Sequence, residues 1–178
     1  VVNVYTIGQD LMGAKMQARI STRIVNYLEH SDRDLLISLL DMYARDAMGG
    51  GEPLTEDVKA RLCDDLAKHP CALSFFAFTG DGQAVGLLNA MLGYSTFKAK
   101  PLLNVHDIAV DPAYRGQGIG QALLQAAQTH ASLQGCCKLT LEVLSGNARA
   151  LRAYEHFGFK QYALLPEHGQ ALFMQKWL

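Results

Sequence analysis

Residues 105–120 read Val105-His106-Asp107-Ile108-Ala109-Val110-Asp111-Pro112-Ala113-Tyr114-Arg115-Gly116-Gln117-Gly118-Ile119-Gly120. A strand-like run closes at Asp111-Pro112, and glycines alternate at 116, 118 and 120. An apolar helical period then begins with Ile119, Leu123, Ala126, Ala127 and Ala131. A glycine turn feeding a helix gathers free N–H groups and the positive end of a helix dipole at one spot. Glycine permits positive φ and close approach of a ligand to the backbone. Such a spot suits a phosphate or pyrophosphate. A nucleotide P-loop would need Gly-Lys-Ser/Thr at its end, which is absent. A dinucleotide fingerprint spaces its glycines differently and starts at the strand's end, so that reading fits poorly.

The rest of the chain reads outward from this turn. Thr22 to Leu28 reads as a strand. Ser31 and Asp34 read as the capped start of a helix that ends near Ala47, before Gly49-Gly50-Gly51. Thr55 caps a second helix, which Pro70 stops. Cys71–Phe78 and Ala84–Tyr94 read as a hairpin about Gly80-Asp81-Gly82, and 95–102 as a loop. Leu103–Val110 is a strand and Gly118–Gln134 a helix. Lys138–Val143 is a strand and Ser145–Phe157 a helix. Phe159–Leu164 and Ala171–Trp177 form a closing pair about Pro166 and Gly169. This order predicts an α+β fold: a central mixed sheet of about seven strands flanked on both faces by about four helices. Residues 1–17 show no clear period and read as an extension of unclear role, with the domain spanning 18–178.

Composition narrows the function. The chain has 178 residues, 49% of them hydrophobic and 19% charged, enough apolar content for a core and too little charge for a disordered chain. Sixteen basic against seventeen acidic residues argue against a nucleic-acid footprint. No apolar run reaches a membrane span, and no basic segment followed by an apolar stretch suggests a secretory signal. Cys63, Cys71, Cys136 and Cys137 form no C-x-x-C pair, so buried thiols and a cytoplasmic location are expected. The six histidines have no metal-binding spacing, so no metal is expected.

Arg115-x-x-Gly118-x-Gly120 is similar to the Arg/Gln-x-x-Gly-x-Gly/Ala signature of the GNAT N-acetyltransferases. The preceding "HDIAVDPAYRGQGIG" resembles that family's strand, turn and helix. "LTLEVLSGNARALRAYEHFGF" resembles its next strand and helix, with Asn147, Ala150, Tyr154, Gly158 and Phe159 in place. The resemblance runs from about Thr22 to Leu178. "GYSTFKAKPLLNVHDIAV" (Gly93–Val110) further resembles polyamine and diamine acetyltransferases.

The resemblance implies transfer of an acetyl group from acetyl-CoA to a primary amine by direct attack in a ternary complex. It implies that Ile108, Ala109 and Val110 supply backbone groups to pantetheine and the thioester, with the Val110 N–H as oxyanion donor. It places Arg115, Gly116, Gln117, Gly118, Ile119 and Gly120 around the pyrophosphate, and Asn147, Ala150 and Tyr154 along the pantetheine arm. Tyr154 lies two helical turns after Asn147, on the same face, and is the candidate general acid toward the departing sulfur, with core packing as the alternative. Asp107 is the candidate base, with a purely structural hydrogen-bonding role as its alternative; His106, Glu142 and a water chain are the other candidates for the base. The resemblance implies that Gly49–Gly51 and Glu52 border the acceptor site, as a lid or as a plain loop; Tyr94 and Phe97 are candidate walls, with core packing as the alternative. The expected acceptor is a small-molecule amine. A protein or peptide amine, or a non-catalytic acyl-CoA-binding module, is the alternative. Dimers are common among such enzymes, and the closing strand is placed to pair across a homodimer.

Overall fold

Six strands join in one sheet in the order in which the chain makes them. They are β1 (Val4–Tyr5), β2 (Ser21–Ile24), β3 (Ala72–Phe78), β4 (Ala84–Ser95), β5 (Lys100–Val110) and β6 (Leu139–Leu141). This computed structural model describes residues 4–5, 20–162, 167 and 171–178. Neighbours from β1 to β5 are antiparallel, and β5 with β6 is parallel, so the sheet is mixed. The described residues carry four α-helices: α1 (His30–Ala44), α2 (Glu56–Lys68), α3 (Ile119–Leu133) and α4 (Ala148–Phe157). The chain divides into two units after Leu141. The first holds the sheet and α1–α3, the second α4 and the residues beyond it.

β3 and the first half of β4, from Val85 to Ala90, are buried on both faces, as central strands with near-continuous apolar sequence should be. Successive residues alternate between those faces. Phe76 and Leu87 join Val25, Leu36, Leu39 and Cys63 in the core under α1 and α2. The next residues along, Phe75 and Gly86, face α3: the Phe75 ring meets the His130 ring edge-on, and Ile119 and Leu123 lie over Gly86. The sheet is therefore covered on both faces, as expected.

The α1–α2 side is fastened by a buried ion pair. Arg23 on β2 grips Asp32 through two bonds of 2.6 Å, and Asp32 Oδ2 also accepts the Asn26 N–H at 2.8 Å. The Arg23 guanidinium stacks over Phe76 and Phe78. Thr55 caps α2 as expected, its hydroxyl accepting the Val58 N–H.

Several boundaries differ from the sequence reading. α1 starts behind Glu29 without a side-chain cap, because the residue that anchors this end is Asp32, through its distant partner Arg23. It stops at Ala44 rather than Ala47, where Asp46 collects the next turn. β5 begins at Lys100, so most of the expected 95–102 loop is ribbon; only 96–99 turn, with Ala99 at φ 48°. Among the described residues there are five strands of three residues or more plus the two-residue β1, not the seven expected. β1 falls within the expected extension and pairs Val4 with Arg23. The closing pair is absent from residues 159–162 and 171–178; the remainder of that expectation, including Pro166 and Gly169, lies outside the described residues. All four thiols are free, but only Cys63 is buried; Cys71 and Cys136 are half-buried and Cys137 is exposed.

Candidate active site

β5 is the element that builds the site. Opposite β4 it carries one extra residue: Ala90 pairs with Val105, yet Asn89 pairs with Asp107, leaving His106 as the bulge. The bulge shifts the alternation, so Val105 and Ile108, three apart, both face α3. His106 is exposed, with Nε2 3.4 Å from Asn104 Nδ2, and Asp107 is half-buried toward α1.

Just past the bulge the sheet opens. β6 pairs with β5 only from Leu103 to Val105, and His106–Val110 continue with no strand of the described residues on that edge. The Asp111 N–H donates to the Val85 carbonyl at 2.9 Å, so odd-numbered residues here direct their backbone toward β4. Ile108 and Val110 then direct theirs to the open edge. Ala109 does not; its side chain is buried and its backbone belongs to the β4 ladder. Of the three residues expected to hold pantetheine, the edge thus offers Ile108 and Val110.

The chain leaves β5 through a short 3₁₀ turn, Pro112–Tyr114, whose first N–H is capped by Asp111 Oδ1. Gly116 (φ 80°) and Gly118 (φ 84°) are left-handed and exposed, and nothing crowds a side chain at Gly116. Backbone conformation, not space, is what requires glycine there. Gly118 caps α3 without any side-chain bond, so the N–H groups of Ile119 and Gly120 open the helix facing outward from its end. Gln117 beside them is exposed.

Arg115 points its guanidinium at protein atoms. Nε donates to the Val110 carbonyl at 3.0 Å and Nη2 to Asp46 Oδ2 at 2.8 Å. Asp46 is a hub. Its Oδ1 accepts the Met48 N–H, and its carbonyl accepts those of Gly49 and Gly51. The glycine loop, expected as a lid or a plain loop, is tied down at Asp46, and a Cβ at Gly49 would overlap the Tyr43 carbonyl oxygen. Glu52 is exposed, as are Tyr94 and Phe97 on the hairpin tip, so neither aromatic packs in the core.

On the α1 side, Asn89 Nδ2 donates to Asp107 Oδ2 at 3.0 Å. Ser74 Oγ donates to Asn89 Oδ1 at 2.6 Å, and Tyr27 stands behind Ser74 at 2.8 Å. Burial, then the charges of Asp107 and Asp46, push the Tyr43 phenol above its usual value. None of Tyr27, Tyr43, Asp46, Ser74 or Asn89 stood out in the sequence reading. Ser74 and Asn89 had a usable signal: polar residues inside apolar strands need partners. Asp46 had none, being 69 residues from Arg115.

The second unit holds the other expected residues. Asn147 caps α4, its Oδ1 accepting the Ala150 N–H at 3.1 Å, which leaves its Nδ2 as the amide's donor. Tyr154 is half-buried on α4, with its ring edge-on to Phe159 at 5.9 Å between centroids. Glu142 is exposed. Among the described residues no cluster of His, Cys, Asp or Glu is arranged to hold a metal ion, and no helix is long and apolar enough to cross a membrane.

A mixed sheet that opens beside a bulged strand, with a glycine turn and uncapped helix at its end, is the arrangement expected of an acyltransferase fold. The acetyltransferase (GNAT) family model matches residues 36–159, and the chain belongs to that family. Similar proteins include streptothricin acetyltransferase of Streptomyces lavendulae, 38% identical over 86 residues (48% of this chain, 43% of that one). Thialysine N-epsilon-acetyltransferase of Bos taurus is 42% identical over 65 residues (36% and 38%). The chain spans less than half the length of these two relatives. Glucosamine 6-phosphate N-acetyltransferase of Trypanosoma brucei brucei is 26% identical over 136 residues (76% and 87%). Among solved structures, aminoglycoside N-acetyltransferase AAC(6')-Iy in complex with CoA superposes with a TM-score of 0.68 at 20% identity, covering 89% of this chain and 95% of that one.

Proposed function

We propose that this chain transfers an acetyl group from acetyl-CoA to a primary amine of a small molecule, by direct attack in a ternary complex. The observation that carries the reading is the open β5 edge at Ile108 and Val110 running directly into the Gly116–Gly118 turn. One face of one strand and one helix end thus offer an extended row of backbone bonds followed by an anion cradle, which is what a pantetheine arm ending in a pyrophosphate needs. Acetyl-CoA supplies the activated thioester.

The residues divide the work. Ile108 and Val110 hold the arm, and the Val110 N–H donates to the charge that develops on the acyl oxygen. Gly116, Gly118, Ile119 and Gly120 offer N–H groups to the phosphates. Arg115, bound to the Val110 carbonyl, shapes the turn. Asn147 Nδ2 donates to the arm. Tyr154 gives its proton to the sulfur as the C–S bond breaks and the new C–N bond forms. Asp107 takes the acceptor's ammonium and its proton; freeing a lysine-like amine at neutral pH costs about 4–5 kcal/mol. The named relatives include acetyltransferases of small amine-bearing molecules, which supports that acceptor class.

The test is release of CoA thiol from acetyl-CoA over a panel of polyamines, aminoglycosides, amino acids and peptides. Thiol release with small amines is the expected result. Release with peptides alone moves the acceptor to protein. CoA binding with no release from any amine removes the transferase reading.

A further inference from the structure

Two polar side chains lie inside the central strands where their neighbours are apolar. Ser74 interrupts Ala72-Leu73-Ser74-Phe75-Phe76 on β3, and Asn89 interrupts Leu87-Leu88-Asn89-Ala90 on β4. They are direct partners in the ladder and are 2% and 8% exposed. Each would cost about 1–3 kcal/mol if buried without a partner, and each has one. The bonds have a direction. Ser74 gives its only proton to Asn89 Oδ1, so the Tyr27 hydroxyl must be the donor to Ser74 Oγ. Burial pushes the Tyr27 phenol up against the lowering effect of that bond, so it keeps its proton. With its oxygen held by Ser74, the Asn89 amide has one orientation, and its Nδ2 reaches Asp107 Oδ2.

We infer that Asn89, oriented by Ser74 and Tyr27, is a positioning residue that locks the Asp107 carboxylate through Oδ2 and reserves Oδ1 for the acceptor amine. The amide cannot relay protons, so the chain orients and does not conduct. Three donors aimed one way, from the turn after β2 to the bulge on β5, are more than packing requires. The Tyr43 phenol on α1 is near enough to feel this carboxylate's charge, and no described residue bonds to Oδ1. The inference rests on Asp107 acting on the acceptor.

The test is a double-mutant cycle using the panel's best acceptor as probe, with Asn89→Leu, Tyr27→Phe, Asp107→Asn and the two doubles. Asn89→Leu should lower acceptor kcat/KM about tenfold and Tyr27→Phe about threefold, with the KM for acetyl-CoA unchanged. In the Asp107→Asn background neither should lower it further. Equal losses in both backgrounds, or a raised KM for acetyl-CoA, overturn the positioning role while leaving Asp107 in place. An Asp107→Asn enzyme with full acceptor turnover overturns the role of Asp107, and this one with it, as does a panel with no thiol release. Circular dichroism reports folding; if Asn89→Leu does not fold, Tyr27→Phe carries the cycle alone.

Discussion

The proposed donor and acceptor halves of the first unit are made of different materials. The donor half is backbone: the Ile108 and Val110 edge, two left-handed glycines and an uncapped helix start. The acceptor half is side chain: Asp107 held by Asn89, and Asp46 fastening the glycine loop to Arg115. Backbone amides do not titrate and can be replaced only by changing the fold. Carboxylates titrate and can be exchanged one at a time. A cosubstrate shared across a family suits the first kind of construction, and an acceptor that differs between members suits the second.

The largest expected effect lies at the chemical step that serves both halves. Tyr154→Phe removes the proposed proton donor while keeping the ring against Phe159. It should lower kcat by about two to four decades, with CoA affinity retained by calorimetry. Unchanged turnover would return Tyr154 to core packing.

Next comes the scaffold under the acceptor half. Asp32 is 3% exposed and Arg23 28%, so Asp32→Ala strands a cation and an N–H and should cost about 3 kcal/mol of stability by urea unfolding. Burial pushes the Asp32 carboxyl up, but the Arg23 bonds and the Asn26 N–H outweigh it and hold it below the ordinary value. A carboxyl lowered by folding lends stability that is complete above its unfolded value, near 3.9, and is lost as pH falls through the folded one. The wild type should therefore lose Tm below about pH 4, and part of that loss should vanish in Asp32→Ala. A parallel acid slope in both proteins would show that the pair contributes no pH dependence.

The donor half should respond to conformation alone. Gly118→Val forces a β-branched residue to φ 84° where only the Ile20 side chain comes near. The strain of about 1–3 kcal/mol should appear as a 10- to 100-fold loss of CoA affinity, equal at pH 6 and pH 8. A pH-dependent loss would mean that a titrating side chain, not the backbone, holds the phosphates.

How much of this was legible follows the same division. The glycine turn, β5 and α3 were readable because local conformation dictates local residues: Gly116 and Gly118 are glycine for their own φ. Thr55 was readable for the same reason. The Arg23–Asp32 pair, the Ser74–Asn89 pair and the Arg115–Asp46 tie were not, since each joins residues whose sequence separation carries no pattern. Ser31, a good local cap, was displaced by a better distant anchor at Asp32. The bulge at His106 was equally silent, because one extra residue in an apolar strand leaves its alternation readable on either side.

The smallest effect separates the halves most cleanly. Asp46 and Arg115 bond the halves to each other at 2.8 Å, with side chains 24% and 31% exposed. Asp46→Asn keeps an oxygen for the Met48 N–H and puts an NH2 where Oδ2 accepts from Arg115, so it removes both the charge and that hydrogen bond. A pair so placed contributes about 0–1 kcal/mol, reduced by salt. If the donor half is backbone, CoA affinity should fall less than about threefold, because Gly116 and Gly118 keep their conformation without Arg115's partner. The KM for the acceptor should rise by about the same small factor, since the Met48–Gly51 loop loses its tie, and 0.5 M salt should produce that rise in the wild type. A tenfold loss of CoA affinity in Asp46→Asn would show instead that the cradle depends on a side chain borrowed from the other half, and the two would then be one structure.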